Sequence, residues 1–332
     1  MHRTGCALVA ALLLLAGCGG NAGDPAAEPT YETTHGTAAS QPTGPSATAS
    51  ATATAAIDPD LASAAADLAS AAEAQASSLP SGVAIEPRSG QVIGADISWP
   101  QCPPGMGIPD KISSGQPMPT EDAEYVIIGL TNGPGFFANP CLADQVAYAK
   151  AAGLLTAAYA VASYPDVNTL KSYGRQGPYD PETPDGALKN VGYAQAVFNV
   201  ASMRNAGLAS PIVWIDVEQV PNYEWSTSVS DNAAVVVGAA QGYLDAGLRI
   251  GVYSTPYLWE GVVGELALGV PEWRAAGQTS MAEALDRCGL EWSIQGGRAV
   301  LGQWVEESRD KNVTCPDIAA DLGEWFAPAL GG

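Results

Sequence analysis

Pro211-Ile-Val-Trp-Ile-Asp-Val-Glu218 is an apolar, β-branched run that ends in acid. Side chains alternate along a strand, so residues two apart share a face. Asp216 and Glu218 therefore project together from the carboxyl end of a buried strand, where charge is costly unless something satisfies or uses it. The remaining chemistry is narrow. His2 and His35 are the only histidines, and both precede the folded region. That excludes Ser-His-Asp and Cys-His catalysis and His-ligated zinc, and leaves carboxylates for proton transfer.

The run sits in a repeating strand–helix pattern. Strands are expected over 92–98, 125–130, 154–161, 211–217, 249–254, 271–276 and 299–304. Helices are expected over 140–152, 190–205 and 230–246, several closed by a glycine such as Gly153, Gly207 or Gly247. The segment 125–130 is apolar on both faces, as parallel strands are. Alternating βα units predict a parallel sheet with right-handed crossovers. No Gly-x-Gly-x-x-Gly turn follows a strand, which removes support for a dinucleotide fold. The expected class is α/β, a TIM-like (β/α) barrel over 90–328 with some helices reduced.

In such a barrel the working residues lie at the carboxyl ends of strands. Those ends offer Asp96, Asn132, Tyr159, Asp216, Glu218, Tyr253, Trp273, Gln303 and Trp304. Paired carboxylates are the acid–base equipment of glycosidases. Aromatic faces suit sugar C–H groups, and amides suit hydroxyls. Within this set a raised proton affinity is expected at Glu218, with Asp216 kept ionised by amide or backbone N–H donors. No metal or cofactor site is evident, and no Ca²⁺ loop spacing occurs.

The N-terminus reads as targeting sequence. A short apolar core over 7–16 leads into Leu15-Ala16-Gly17-Cys18, a lipobox-like site that predicts cleavage after residue 17 and lipidation of Cys18. Residues 18–89 form an Ala/Thr/Ser/Pro-rich tether, expected to be disordered apart from a marginal helix near 58–78, with Asp58 as N-cap and Pro59 as first helical residue. Export to an oxidising compartment makes Cys102, Cys141, Cys288 and Cys315 disulfide candidates. Four cysteines allow three pairings, of which the sequential one is favoured. With 14 basic against 35 acidic residues, nucleic acid and anionic lipid surfaces are poor partners. The expectation is a monomer outside the cytoplasm, held to the membrane through its N-terminal lipid alone and acting on carbohydrate.

The ordered motifs resemble the family 25 glycoside hydrolases, the Chalaropsis-type lysozymes, in a divergent secreted branch. Gly94-Ala-Asp96-Ile-Ser98 with Gln101 is similar to the family's opening strand. Asp216-Val-Glu218 resembles its catalytic Asp-x-Glu, Gly251-Val-Tyr253-Ser its Ile-Tyr-Thr/Ser strand, and Pro271-Glu-Trp273-x-Ala275 its Leu-Trp-x-Ala strand. Gln303-Trp304 and Asp310-Lys-Asn312 resemble its terminal motifs. The resemblance implies Glu218 as acid, Asp216 as its helper, Asp96 and Asp310 as further carboxylates, and peptidoglycan as substrate. The rim departs from the family pattern: Gly129 and Asn132 stand where it often has Lys and Glu, Tyr159-Ala-Val161 replaces Tyr-His-Phe, and Gly302 replaces a tryptophan. The resemblance therefore implies a lysozyme-like hydrolase of cell-wall glycan. A non-catalytic glycan-binding lipoprotein on the same barrel is the alternative.

Overall fold

The structure, a computed structural model, describes residues 56–78, 85–133 and 135–329. The expected signal peptide, Cys18 and most of the expected tether lie outside the described residues. Eight strands form a closed barrel: β1 Ile93–Ile97, β2 Tyr125–Gly129, β3 Leu155–Val161, β4 Ile212–Asp216, β5 Arg249–Ser254, β6 Glu272–Gln278, β7 Ala299–Glu306 and β8 Arg309–Thr314. β1 to β7 follow one another in parallel, except that β8 stands antiparallel between β7 and β1. The pairing of β3 with β4 completes the closed set. A two-residue strand, Ala327–Pro328, adds antiparallel to the start of β3.

β8 was not among the strands expected from sequence. Its residues, Arg-Asp-Lys-Asn-Val-Thr, carry no apolar run, because its inner face is an acid and an amide and its outer face is cationic. Its direction follows from its connection. Glu307 and Ser308 both adopt positive φ, 52° and 56°, and form a two-residue hairpin turn between paired Glu306 and Arg309. So short a link cannot carry a parallel crossover.

The barrel interior is filled by rings. Tyr125, Trp214 and Trp273 are almost wholly buried. Gly94 and Gly251 give them room, since a Cβ at either would overlap the ring of Tyr125 or Trp214. The opposite face of each strand packs on helices: α1 Pro59–Ser78, α2 Leu142–Ala151, α3 Val167–Tyr173, α4 Pro184–Asn205, α5 Val229–Asp245, α6 Pro256–Val263 and α7 Met281–Asp286. Thr183 caps α4 and Pro184 opens it.

α5 explains α1. The run Ala233-Ala-Val-Val-Val-Gly-Ala-Ala240 has no polar face, and every residue in it is buried. A helix apolar all round needs partners on every side. α4 supplies one at close range, since Cβ atoms at Gly192 and Gly238 would overlap backbone of the opposite helix. α1 supplies another, with Leu61, Ala65 and Leu68 at spacings of four and three and all buried. Asp58 receives the N–H of Asp60 at 2.8 Å and caps α1, and its own N–H donates to Ser230 near the start of α5. At the other end Gln75 donates to the carbonyl of Leu248, just beyond α5. The helix expected to be marginal is thus a packed element whose stripe is shared between leucine and alanine. The cysteines pair sequentially, Cys102–Cys141 and Cys288–Cys315. Among the described residues no helix is long and apolar enough to cross a membrane.

Candidate active site

β1, β4 and β8 deliver the acids. Asp96 and Asp310 are paired across β1 and β8, so they face the same side of the sheet. Asn312 and Gln303 are likewise paired across β8 and β7. Asp96 Oδ1 accepts from Asn312 Nδ2 at 2.7 Å and from Gln303 Nε2 at 3.0 Å. Each amide is itself oriented: Asn312 Oδ1 accepts the indole N–H of Trp273 at 2.7 Å, and Gln303 Oε1 accepts the hydroxyl of Tyr253 at 2.7 Å. An acceptor of two such bonds is favoured as carboxylate.

Asp216 stands in the opposite situation. It is 3% exposed, and its Oδ1 has no hydrogen-bond partner. Burial, then the charges of Glu218 and Asp96, push its carboxyl well above the usual range. Asp310, half-buried, is pushed up to about 7 by removal from water and then by Glu218. The expectation of amides around Asp216 is therefore met at Asp96 instead. The electrostatic reach of the acids also shows that they converge. Glu218, Asp216, Asp96 and Asp310 all act on the phenol of Tyr253, which burial above all holds protonated. Tyr159 is under the same influence from Asp96, Asp216 and Asp310, and it bonds Ser98.

Glu218 lies just beyond β4, half-exposed. Its backbone is fixed, since Trp225 Nε1 donates to its carbonyl at 2.9 Å and Ser254 Oγ donates to the carbonyl of Val217 at 2.7 Å. The mouth is thus a half-exposed glutamate above a buried aspartate whose carboxyl is pushed towards its protonated form, with Asp96 and Asp310 across the barrel.

The other expected contacts divide. Tyr159, Tyr253 and Gln303 lie in this layer. Trp273 is the floor beneath it, its ring 4.4 Å from that of Tyr253 and 5.8 Å from that of Tyr159. Trp304 is placed elsewhere: one residue on from Gln303, it faces outward and packs with Ala284 and Val313. Asn132 is buried and committed to the chain, accepting from Ile108 N at 2.8 Å and donating to the carbonyl of Lys111 at 3.1 Å. It holds the small hairpin of Gly107–Ile108 and Lys111–Ile112 at the rim. Sequence reasoning passed over Asn312 and Lys111 as site residues. Asn312 was findable, two positions from Asp310 and so on its face. Lys111 lies in a hairpin with no distinguishing local pattern.

A family description, lysozyme-like protein 1, matches residues 183–283. A probable GH family 25 lysozyme 3 of Dictyostelium discoideum is 40% identical over 73 residues, 22% of this chain and 15% of that protein. Over this segment the chain is similar to family 25 glycoside hydrolases. Counting factor 45-1 of the same organism is 39% identical over 77 residues, 23% of this chain and 25% of that one. The matches span a quarter or less of these curated relatives. Among solved structures, the bacterial lysozyme from Streptomyces coelicolor aligns with TM-score 0.46 and 16% identity, covering 72% of this chain and 98% of that one. A family GH25 lysozyme from Aspergillus fumigatus gives 0.44 and 18%, covering 71% and 98%. The segment that the lysozyme-like description matches contains Asp216 and Glu218, while Asp96 and Asp310 come from strands outside it.

Proposed function

We propose that this protein hydrolyses a glycosidic bond of cell-wall glycan in the manner of a muramidase, with Glu218 as the proton donor. The observation that carries this reading is the unequal treatment of acids in one mouth: Asp96 is held by two oriented amides, Asp216 is buried with an oxygen unpaired, and Asp310 is poised at about 7. Environments that push neighbouring carboxyls apart in proton affinity are how one site holds both an acid and a base.

Glu218 is the acid that the solvent-facing side of the mouth offers to a leaving oxygen, being half-exposed on a fixed backbone. A neutral Asp216 donates a hydrogen bond to a substrate carbonyl such as an acetamido oxygen. Asp310 has the proton affinity of a base that works near neutrality and accepts the proton of the attacking water. Asp96, with Tyr253, Gln303 and Asn312, fixes the floor on which the sugar rests. The two disulfides fit an oxidising compartment outside the cytoplasm, and lipidation of Cys18 would keep the enzyme beside the wall it acts on.

The test is incubation of the protein with purified peptidoglycan and assay of new reducing ends. Glu218→Gln should bind the wall and release none. Wall binding with no reducing ends from the natural protein would instead make the barrel a glycan-binding module.

A further inference from the structure

An acid-lined mouth repels an acidic substrate unless a cation stands in it, and the rim hairpin provides one. Lys111 comes from an insertion between β1 and β2, outside the barrel strands. Its Nζ lies 5.7 Å from the ring centroid of Trp99, just after β1, and 5.7 Å from that of Tyr223, in the loop after β4. Both distances are within reach of a cation–π contact. Three elements therefore fix one ammonium at the carboxyl ends of the strands, on the side of Glu218, whose charge it feels.

The hairpin is built to hold this position. Asn132 grips it from both strands, through Ile108 N and the carbonyl of Lys111. Gly133 lets the lysine stem lie against the backbone, since a Cβ there would meet Lys111 Cδ and Cε. Burial of the stem lowers the proton affinity of the amine, while Glu218 and Asp110 counter that by favouring its charged form. Lys111 remains partly exposed at the rim.

We infer that Lys111 reads a carboxylate on the glycan, such as the lactyl carboxylate of a muramic acid unit, and so sets the preference of this mouth for an acidic over a neutral amino-sugar chain. The inference rests on the proposed glycan reading of the same site and adds the charge of the substrate. An ammonium is a point charge that needs no bidentate partner, which suits a carboxylate on a mobile substituent. The net charge of −21 makes such a local cation the more necessary.

The experiment compares two uncleavable thio-linked tetrasaccharides by calorimetry on the full chain. One contains N-acetylglucosamine alone, and the other alternates it with N-acetylmuramic acid bearing a free carboxylate. The natural protein should bind the acidic probe more tightly. Lys111→Met should weaken it about tenfold, or about 1.4 kcal/mol, and leave the neutral probe within about twofold. Lys111→Arg should restore most of the preference, and unchanged thermal melting of both variants shows that the hairpin is intact. Equal weakening on both probes, or none on either, overturns the inference while leaving the glycan reading in place. Binding of neither probe by the natural protein removes both.

Discussion

Asp96 and Asp310 are direct cross-strand partners on β1 and β8, yet the first is held by two amides and the second is pushed up to about 7. Like charges facing each other across a strand pair repel. The barrel treats the two unequally: Asp96 has its amide donors, while removal from water and then the charge of Glu218 raise Asp310.

This asymmetry has a pH signature. A base at about 7 is charged only above that value, so kcat/KM should rise with pH through about 7 as Asp310 ionises. Asp310→Asn should remove that rising limb and lower the plateau by about 100-fold or more. A pH–rate profile of both proteins on soluble glycan fragments checks this.

The same acids should make the site a source of instability. Asp216 and Asp310 have proton affinities in the folded chain above their unfolded values, so the native state binds more protons than the unfolded one. Stability from them is full below the unfolded value near 4 and falls as pH rises through the folded values. Asp216→Asn and Asp310→Asn should therefore each raise stability at pH 7–8, for Asp310 by on the order of 1–2 kcal/mol after allowing for solvent screening. Below about pH 4 the gain should vanish. Thermal unfolding across pH measures it.

α1 was legible as a helix but not as a packed one. Its stripe is Leu61, Ala65, Leu68 and the partly buried Ala72, and alanine carries little signal in a segment rich in alanine throughout. The better clue lay far away, in α5, whose unbroken apolar run demanded a cover. Leu61→Ala should cost about 2–4 kcal/mol in denaturant unfolding. A cost near zero would show that α1 does not stay docked.

A second buried device lies outside the mouth. Glu272, fully buried on the outer face of β6, accepts N–H bonds from Ile294, Gln295 and Gly297 at 2.8–2.9 Å and from Arg274 Nε at 2.7 Å. Arg274 in turn donates to the carbonyls of Arg287 and Gly289, beside the Cys288–Cys315 disulfide. Glu272→Gln leaves a buried guanidinium without its counter-charge and should destabilise by about 3–5 kcal/mol. Equilibrium unfolding reads this directly.

Much of the barrel could be read from sequence because its parallel strands are apolar on both faces and its helices end in glycine. The carboxylates of β1 and β4 stood out because they close apolar runs. Legibility ended where polarity is spent inside the fold. β8 looks like a loop because Asp310 and Asn312 face an interior of acids and amides. Trp304 looks like a rim residue because alternation alone does not say which of Gln303 and Trp304 points inward. Asn132 looks like a sugar ligand until the hairpin it grips is in place. Lys111 acquires meaning only when loops from β1 and β4 meet over it.

The most direct test of the account is a crystal structure of Glu218→Gln with a bound cell-wall oligosaccharide. It should show a sugar across the mouth, a glycosidic oxygen within hydrogen-bond reach of residue 218, and Asp216 and Asp310 on either side of the scissile bond. A sugar seated away from these acids, with the mouth empty, would contradict it.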